Sequence, residues 1–531
     1  MKRREFLGAA IASTAALAGC DARHDIAGGF TGIDLGRGHA LRDGTWVAGA
    51  APGSTRRTRV VIAGGGVAGL AAARALRLAG VDDFVLLELE DAPGGNSRGG
   101  MVEGIACPLG AHYLPVPGDD AHEVQDLLEE LGLRRRVSGR WEYDERHLCH
   151  SPQERLFFGG AWQEGLLPVQ GVEEATLAQY RRFSLRVEAL RREARFTIPT
   201  LRAEPAPLLV ALDALTFQTW LEREAFTDPH LRWYLDYCCR DDYGAGSSHV
   251  SAWAGIHYFA SRHGFHAPGD NNAERDAVLT WPEGNGWLTR RLASPLGERL
   301  NSGHVVTRIA ETRAGVEVDV FDVASRSRVR WQADRCIVAM PVFVAARVVE
   351  NPPEVLRHAA THLRYSPWLV ANVHVRSPLA DRSGAAPSWD NVVYGARGLG
   401  YVDARHQTLD PTPRATVLSW YRPLGPSAFD GADGRRELLD RPWTAWRDDL
   451  LAELSVPHPD LRDLATRIDI TRYGHAMAIP EPGLLRRLGS LSTRGPGLIG
   501  TERLSFAHSD WSGYSIFEEA FTRGHLAGVA R

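Results

Sequence analysis

Lysine is almost absent from this sequence. Among 531 residues with 61 basic side chains, the only lysine is Lys2, and every other member of that group is an arginine. A pyridoxal phosphate enzyme needs a lysine for its Schiff base, and a P-loop needs one to hold phosphate. Since Lys2 lies in a predicted leader, the mature chain is excluded from both classes.

Cysteine is also scarce, with six residues in the whole chain. So few cysteines do not make a disulfide framework in a chain of this length. Cys107 and Cys149 could pair after export, whereas the adjacent Cys238 and Cys239 are predicted to be buried thiols, with a vicinal disulfide as the alternative. The tract His147-Leu148-Cys149-His150 lacks the spacing of a strong zinc site, so no metal is predicted.

Long apolar runs are missing beyond the N-terminus, so no transmembrane helix is predicted there. Basic residues are interspersed with acidic ones and the formal net charge is −4, so nothing indicates a nucleic-acid partner. With 44% hydrophobic residues, the chain can form two sizeable cores. These properties predict a large globular enzyme that acts on a small molecule.

The most informative pattern occupies residues 59–96. An apolar run predicts a buried strand, the turn that follows has the pattern G-x-G-x-x-G, and an alanine-rich helix leads to a second strand that ends at Glu88. The glycines allow a tight turn, close approach of a pyrophosphate and helix–strand packing, while the helix N-terminus attracts the phosphates. Glu88 is placed to accept hydrogen bonds from a ribose. The predicted dinucleotide-binding residues are Gly64, Gly66, Ala68, Gly69 and Glu88.

The residues after Glu88 distinguish FAD from NAD. Segment 88–96 resembles the acidic residue and Gly-Gly signature of the flavin amine oxidase superfamily, which includes amine and amino-acid oxidases, protoporphyrinogen oxidases and carotene desaturases. Further segments resemble that superfamily in the same order, at 109–113, 281–287, 305–306, 336–341, 499–502 and 511–514. The resemblance implies FAD as cofactor, with contacts from Gly94, Gly95, Asn96, Arg98, Gly110, Ala111, His112, Val306, Gly500 and Glu502.

The sequence also departs from that superfamily. The arginine that commonly follows Gly-Gly is Asn96 here, with Arg98 two residues further on. No cysteine follows Cys336, which excludes the C-terminal cysteinyl-FAD bond of monoamine oxidases, and noncovalent FAD is predicted. The lysine that many amine oxidases place near flavin N5 has no counterpart. Tyr514 is the candidate for the aromatic cage of the family.

Three histidines are candidates for the proton transfer that the missing lysine would assist. They are His112, His257 and His475, which lie in the segments expected to approach the flavin. A histidine can accept a proton near neutral pH. The alternative is a packing role for each of them, and Asp241 and Asp242 are then the next candidates.

The N-terminus has the pattern of an export signal. Arg3-Arg4 is a twin-arginine motif, an apolar stretch covers residues 8–18, and Leu17-Ala18-Gly19-Cys20 resembles a bacterial lipobox. We expect export by the twin-arginine route and attachment to the periplasmic side of a membrane through a lipid on Cys20. An ordinary secretory signal with a chance cysteine is the alternative. Residues 20–57 are expected to form a tether.

The order of the motifs predicts the fold class. We expect an α/β protein with a Rossmann-type FAD-binding domain and a second, mixed α+β substrate domain. The FAD-binding domain is assigned to residues 58–115, 280–345 and 470–531, and the substrate domain to residues 116–279 and 346–469. Substrate should bind where the two domains meet.

The predicted function is FAD-dependent oxidation of a small organic substrate by hydride transfer, with an amine as the expected substrate. The first alternative is oxidation or desaturation of an apolar C–C bond, as in the desaturase and protoporphyrinogen oxidase branches. An alternative of another class is a flavin-binding assembly factor without turnover. The sequence does not identify the electron acceptor.

Overall fold

Two large sheets organise the chain in the computed structural model. It describes residues 25–46, 52–262, 264–268, 277–410, 412, 414–431, 433–489 and 498–530. The strands in chain order are β1 (Ala27–Phe30), β2 (Ser54–Ala63), β3 (Phe84–Leu87), β4 (Gly99–Val102), β5 (Ile105–Pro108), β6 (Tyr113–Pro115), β7 (Arg134–Val137), β8 (Arg140–Tyr143), β9 (Glu154–Phe158), β10 (Ala161–Glu164), β11 (Val278–Thr280), β12 (Leu300–Asn301), β13 (His304–Glu311), β14 (Val316–Asp322), β15 (Ser327–Val338), β16 (Tyr365–Val375), β17 (Asp390–Val393), β18 (Tyr401–Asp403), β19 (Thr416–Pro423), β20 (Ala465–Ala478), β21 (Ile499–Gly500) and β22 (Leu504–Phe506).

The helices cover the faces of these sheets. In chain order they are α1 (Leu35–Arg42), α2 (Val67–Leu78), α3 (His122–Glu130), α4 (Glu174–Glu193), α5 (Pro207–Asp213), α6 (Phe217–Arg223), α7 (Pro229–Tyr243), α8 (Ala252–Ala260), α9 (Gly286–Ala293), α10 (Val342–Val348), α11 (Glu354–His362), α12 (Gly434–Asp440), α13 (Trp443–Leu454), α14 (Leu461–Leu464), α15 (Leu484–Gly489) and α16 (Phe517–Val529). Short 3₁₀ turns lie at Thr200–Arg202, Ser294–Arg299 and Ser509–Ser512.

The first sheet is the Rossmann-type sheet. Its strand order is β12-β3-β2-β15-β14-β13, and β22 pairs with β15 in parallel. The parallel strands β2 and β3 are joined by α2, which is the β-α-β unit that the sequence predicts. Residues Val60 to Ala63 at the end of β2 are all buried, as expected for a strand covered on both faces.

The second sheet carries eight strands in the order β1-β20-β16-β19-β18-β17-β9-β10. It mixes antiparallel pairs, such as β16 with β20, and parallel pairs, such as β17 with β9. Helices α4 to α8 pack beside it through a large apolar cluster that includes Phe183, Phe217 and Trp253. The α/β fold with a Rossmann-type domain and a second mixed domain is therefore confirmed.

Helix α7 ends against strand β16 of the second sheet, where the Ser366 hydroxyl donates to the Gly244 carbonyl oxygen at 2.7 Å, and its boundaries follow from its sequence. Asp228 caps its N-terminus by accepting hydrogen bonds from the backbone N–H groups of residues 230 and 231, and Pro229 occupies the first turn. Gly244 ends the helix in the left-handed conformation, with φ of 69°. The last turn consequently carries two consecutive aspartates, Asp241 and Asp242.

The N-terminal region differs from the predicted tether. Residues 27–46 form β1, α1 and the turns after α1. Strand β1 extends the second sheet by pairing in parallel with Arg467–Ile470 of β20. Sequence reasoning missed this because the strand AGGF is rich in glycine and lacks β-propensity. Among the described residues, no helix has both the length and the apolar composition needed to cross a bilayer.

Candidate functional site

The glycine-rich turn between β2 and α2 lies at one end of a deep cavity. Gly64 has φ of 111°, a conformation that favours glycine. A Cβ at Gly69 would lie 1.9 Å from the Gly64 carbonyl oxygen, so the helix could not approach the strand with any other residue there. Gly64, Gly66 and Ala68 line the cavity, and Gly66 stands directly before the first residue of α2. This places the free N–H groups of the helix N-terminus where a pyrophosphate would bind.

Glu88 lies at the same end of the cavity. Its carboxylate accepts hydrogen bonds from the backbone N–H of Gly65, at 2.7 Å, and of Glu90, at 2.8 Å. Burial raises its pKa, while these two N–H groups and nearby Arg98 act in the opposite direction. Both carboxylate oxygens retain a lone pair, so the arrangement fits ribose hydroxyl groups as donors.

The Gly94-Gly95 pair lies directly against the glycine-rich turn, because the Gly94 N–H donates to the Gly65 carbonyl oxygen at 2.8 Å. Both glycines line the cavity, and a Cβ on Gly95 would lie 3.2 Å from the Gly66 Cα. Asn96 also lines the cavity, and its side-chain amide donates to the Ala476 carbonyl oxygen at 2.7 Å. Arg98 does not line the cavity, and its guanidinium donates to the carbonyl oxygens of Gly32, at 2.8 Å, and of Ala92, at 2.6 Å.

The residues that line the cavity fit FAD. The cavity measures about 410 Å³, and it runs from the glycine-rich turn to the ends of α7 and β19. Its lining includes backbone at Gly64, Gly65, Gly66 and Gly95 and the carboxylate-bearing Glu88 at one end, and the aromatic rings of His112, Tyr113, Trp368, Tyr421 and Tyr473 at the other. None of the five cysteines in the described ranges lines it, whereas His112 and His475 do. Val306 contributes to the wall near Glu88.

The turn at Gly110-Ala111-His112 is held by the loop between β3 and β4 and by the second sheet. A Cβ at Gly110 would lie 2.1 Å from the Asn96 carbonyl oxygen, and the Ala111 N–H donates to that same oxygen at 2.8 Å. Tyr421 of β19 donates to the Gly110 carbonyl oxygen at 3.0 Å. The predicted residues of this turn therefore do lie in the cavity wall.

His112 sits in an aromatic cluster. Its ring centroid lies 4.4 Å from Tyr421, 5.0 Å from Tyr113 and 5.4 Å from Trp389. Burial lowers the pKa of His112 to about 3. The imidazole is consequently neutral at physiological pH and would resist protonation.

His475 also lines the cavity, on the side formed by the second sheet and α10. Its ring stacks on Phe343 with centroids 4.3 Å apart. Burial and the neighbouring Arg435 lower the pKa of His475 to about 4. The position of His475 therefore permits contact with FAD, but the low basicity of its ring argues against a role as general base.

His257 is placed differently from the prediction. Its side chain is 1% exposed and does not line the cavity. Its Nε2 lies 3.0 Å from the Thr197 carbonyl oxygen, and its ring packs at a tilt against the Trp253 ring, with the centroids 4.7 Å apart. Burial lowers its pKa to about 3. The structure therefore supports the alternative of a packing role for His257 on a buried aromatic helix. The sequence could not show this, because helical spacing does not distinguish a face turned to a cavity from one turned to a core.

Tyr514 is also enclosed. It has no exposed surface and does not line the cavity, whose wall at this point is formed by Ser515 and Ile516. Its hydroxyl donates to Asp242 at 2.5 Å and accepts from Arg262 at 2.7 Å. A cage role is therefore not supported by its position; Tyr514 instead supports a buried ion pair.

Gly500 and Glu502 lie outside the cavity wall. Glu502 is exposed, and the hydroxyl of the intervening Thr501 donates to Glu311 at 2.9 Å, at the far end of the sheet. The cavity is instead lined by residues 508–510, which follow the buried strand β22. Asp510 there accepts hydrogen bonds from the Val342 N–H at 2.9 Å and the Tyr365 hydroxyl at 2.7 Å. The FAD contacts predicted for Gly500 and Glu502 are therefore not supported, because these residues precede β22 and the cavity-lining residues follow it.

Asp241 is the cavity residue that sequence reasoning ranked too low. It lines the aromatic end of the cavity, and within the described part of the chain no hydrogen bond or ion pair engages its carboxylate. Burial and the neighbouring Asp242 raise the pKa of Asp241 to about 7. Such a group can exist in both protonation states near neutral pH. The sequence feature that could have identified Asp241 is its position in the last turn of a helix, next to a second aspartate.

Glu518 is a second acidic group in this wall. It lies in the first turn of α16, is 3% exposed and lines the cavity. Burial raises its pKa to about 7, and Arg262 acts in the opposite direction. The aromatic end of the cavity thus combines aromatic rings, two carboxyl groups of raised pKa and the ion pair between Arg262 and Asp242.

Comparisons with known proteins place these features in a family. The model of the family "Flavin containing amine oxidoreductase" matches residues 67–524. The L-amino acid dehydrogenase of Synechocystis sp. is 25% identical over 302 residues, which are 55% of this chain and 58% of that protein. Polyamine oxidase 4 of Oryza sativa subsp. japonica is 28% identical over 306 residues, 56% of this chain and 54% of that protein. The chain thus spans a little over half the length of each of these relatives.

A solved structure supports the same fold over a longer stretch. Wild-type putrescine oxidase bound to putrescine superposes with a TM-score of 0.66 at 18% identity, covering 89% of this chain and 98% of that one. At this identity the likeness establishes the fold alone.

Proposed function

Because the chain belongs to the flavin-containing amine oxidoreductase family, we propose that it oxidises an amine by hydride transfer to FAD, with Asp241 binding the amino group and accepting its proton. FAD, when bound, supplies the two-electron acceptor. The glycine-rich turn, Glu88 and the Gly94-Gly95 pair would hold its adenosine and pyrophosphate. The turn at residues 110–112 and residues 475–477 would border its ring system.

One observation carries the proposal: the Asp241 carboxylate lies at the aromatic end of the cavity, and no cation among the described residues forms an ion pair with it, since Arg262 in the same wall is paired with Asp242. A carboxylate so placed favours a cationic partner, because burial of an unpaired negative charge is unfavourable. An ammonium group meets that need, and the neighbouring rings of Tyr113 and Tyr421 suit a cation as well.

The pKa of Asp241 also suits the required proton transfer. An amine must lose its ammonium proton before it can give up hydride from the adjacent carbon. With a pKa of about 7, the Asp241 carboxylate is a better proton acceptor than an ordinary aspartate. Neither His112 nor His475 matches it, because burial lowers the pKa of each to about 3 and about 4 respectively.

Anaerobic mixing tests the proposal directly. The holoenzyme should be mixed with a panel of primary, secondary and aromatic amines and amino acids, and with apolar unsaturated compounds, while flavin absorbance is followed. Reduction by an amine supports the proposal. Reduction only by an apolar compound would favour C–C desaturation, and no reduction by any compound would favour a flavin-binding assembly factor. Repeating the reaction with oxygen and with artificial acceptors then separates an oxidase from a dehydrogenase.

The subcellular location of the protein is a second part of the proposal. Arg3-Arg4 and Cys20 support export by the twin-arginine route and a lipid anchor on the periplasmic side of a membrane. These residues lie outside the described ranges, so the support comes from the sequence alone. Export of an already folded protein is compatible with an enzyme that needs FAD in place before it leaves the cytoplasm.

A further inference from the structure

We propose that the N-terminal strap, defined as residues 26–46, closes the adenosine end of the FAD cavity and limits the rate at which FAD is released. The strap precedes residue 67, where the match to the family model begins. It is therefore an addition to the part of the chain on which the family assignment rests. Its contacts connect both sheets and the cavity.

One end of the strap is fixed to the second sheet. Strand β1 pairs with β20 over four residues, and the Thr31 N–H continues the ladder by donating to the Ile470 carbonyl oxygen at 2.8 Å. A Cβ at Gly28 would lie 1.9 Å from the Ile468 carbonyl oxygen, so the two strands approach as closely as glycine allows. Ile26 is buried in the core beneath this sheet.

The middle of the strap crosses the loop after Glu88. Arg37 donates to the Leu89 carbonyl oxygen at 3.0 Å and to the Asp91 carboxylate at 2.7 Å. From the loop side, Arg98 donates to the Gly32 carbonyl oxygen at 2.8 Å. Arg98, predicted as an FAD contact, thus fastens the strap to the loop that carries the predicted ribose-binding residue.

Leu41 brings the strap into the cavity itself. It is the strap residue that lines the cavity within the described ranges, and it is 7% exposed. It packs in the same apolar cluster as Val306 and Met340, which also line the wall. A hydrophobic side chain at this position covers the adenosine end of the cavity that begins at Gly64 and Glu88.

The far end of the strap is fixed to the first sheet. The Trp46 ring lies 4.3 Å from the Phe321 ring, and the Trp46 carbonyl oxygen accepts a hydrogen bond from Arg328 at 2.6 Å. The Arg42 carbonyl oxygen accepts another from Arg347 at 2.6 Å. With both ends attached, the segment between them can open only if the Arg37 and Arg98 contacts break.

FAD release gives a test that does not depend on activity. Holoenzyme carrying Arg37→Ala should be diluted into FAD-free buffer, and released FAD followed by its fluorescence. We expect release about tenfold faster than in the wild type, because two hydrogen bonds from one guanidinium, one of them to a carboxylate, are lost. Leu41→Ala should accelerate release as well, through loss of the apolar cover.

Arg42→Ala is the matched control. It removes the same charge from the same helix, but the Arg42 side chain is 55% exposed and pairs with the adjacent Asp43. Its release rate should equal that of the wild type. The thermal stability of each apoprotein should be measured in parallel. If the strap retains FAD, the substitutions should accelerate FAD release but change the thermal stability of the apoprotein little. Release at the wild-type rate from both Arg37→Ala and Leu41→Ala would overturn the proposal, as would equal acceleration by Arg42→Ala.

Discussion

The Arg262 guanidinium lies 3.2 Å from the Asp242 carboxylate, and this pairing separates two aspartates that are neighbours in the chain. Asp242 is 5% exposed, and it is further bound by the Tyr514 hydroxyl. Both aspartates line the cavity, but no hydrogen bond or ion pair engages the Asp241 carboxylate among the described residues. One aspartate is therefore committed to the structure, and the other remains available to a ligand.

Asp241→Asn should slow flavin reduction by a bound amine by about 10²–10³-fold, the size expected for loss of a general base. Single-turnover absorbance measurements with saturating FAD provide the rate. Asp126→Asn, on the exposed face of α3, serves as a control and should reduce at the wild-type rate. An unimpaired Asp241→Asn enzyme would remove Asp241 from the proton-transfer step.

The pH dependence should follow the same carboxyl group. Burial raises the pKa of Asp241 to about 7, so it is mostly protonated at pH 5 and mostly ionised at pH 9. The second-order rate constant for reduction by the amine should therefore increase with pH through about 7. Asp241→Asn should lose this step. A histidine base with the lowered pKa values described for His112 or His475 would instead give a step several units lower.

Tyr514→Phe should destabilise the fold by about 1–3 kcal/mol, because it leaves a buried carboxylate and guanidinium short of one hydrogen bond each. Reduction of the flavin by bound substrate should stay close to the wild-type rate, since Tyr514 does not line the cavity. Thermal unfolding and single-turnover reduction are to be compared in the same preparation. A large kinetic defect with normal stability would restore the aromatic-cage role.

Acid precipitation should release yellow FAD into the supernatant, since no described cysteine lines the cavity. Flavin left in the pellet would mean a covalent bond, and His112 or His475 would be the residue to examine.

Glu88→Ala should weaken FAD binding by about 1–3 kcal/mol, the cost of leaving ribose hydroxyls without an acceptor. Glu502→Ala is the control and should bind FAD normally, because Glu502 is exposed and lies outside the cavity.

Replacing Arg3 and Arg4 with lysine should retain the protein in the cytoplasm if the twin-arginine route is used. Cys20→Ser should abolish labelling with radioactive fatty acid while leaving export intact. Cell fractionation and lipid labelling measure the two effects separately. Export of the double-lysine variant at the normal level would contradict the twin-arginine assignment.

Local patterns predicted the β2-α2-β3 unit well. Its features depend only on residues within one short segment: the tight turn at Gly64, the close packing at Gly69 and the acidic residue Glu88 at the end of β3. The local sequence is therefore sufficient to predict this unit.

Features that depend on distant partners were not predictable. His257 has the spacing of a helix face, but only the packing of Thr197 against it shows that this face is turned to the core. The assignment of residues 500–502 rested on a matching tripeptide, whereas the register of the three-residue strand β22 against β15 decides which residues reach the cavity. Strand β1 exists because β20 offers it an edge, and its own sequence gives no sign of it.

The pairing of β1 with β20 also has a consequence for biosynthesis. On the ribosome, β1 emerges long before β20, its partner in the sheet. The N-terminal segment therefore has no partner until β20 has been made, and the cavity-lining residues 508–510 are made later still. If the strap limits the release of FAD, we expect FAD to bind before β1 pairs with β20. Contacts between the two ends of a chain form slowly, which lengthens the period available for loading.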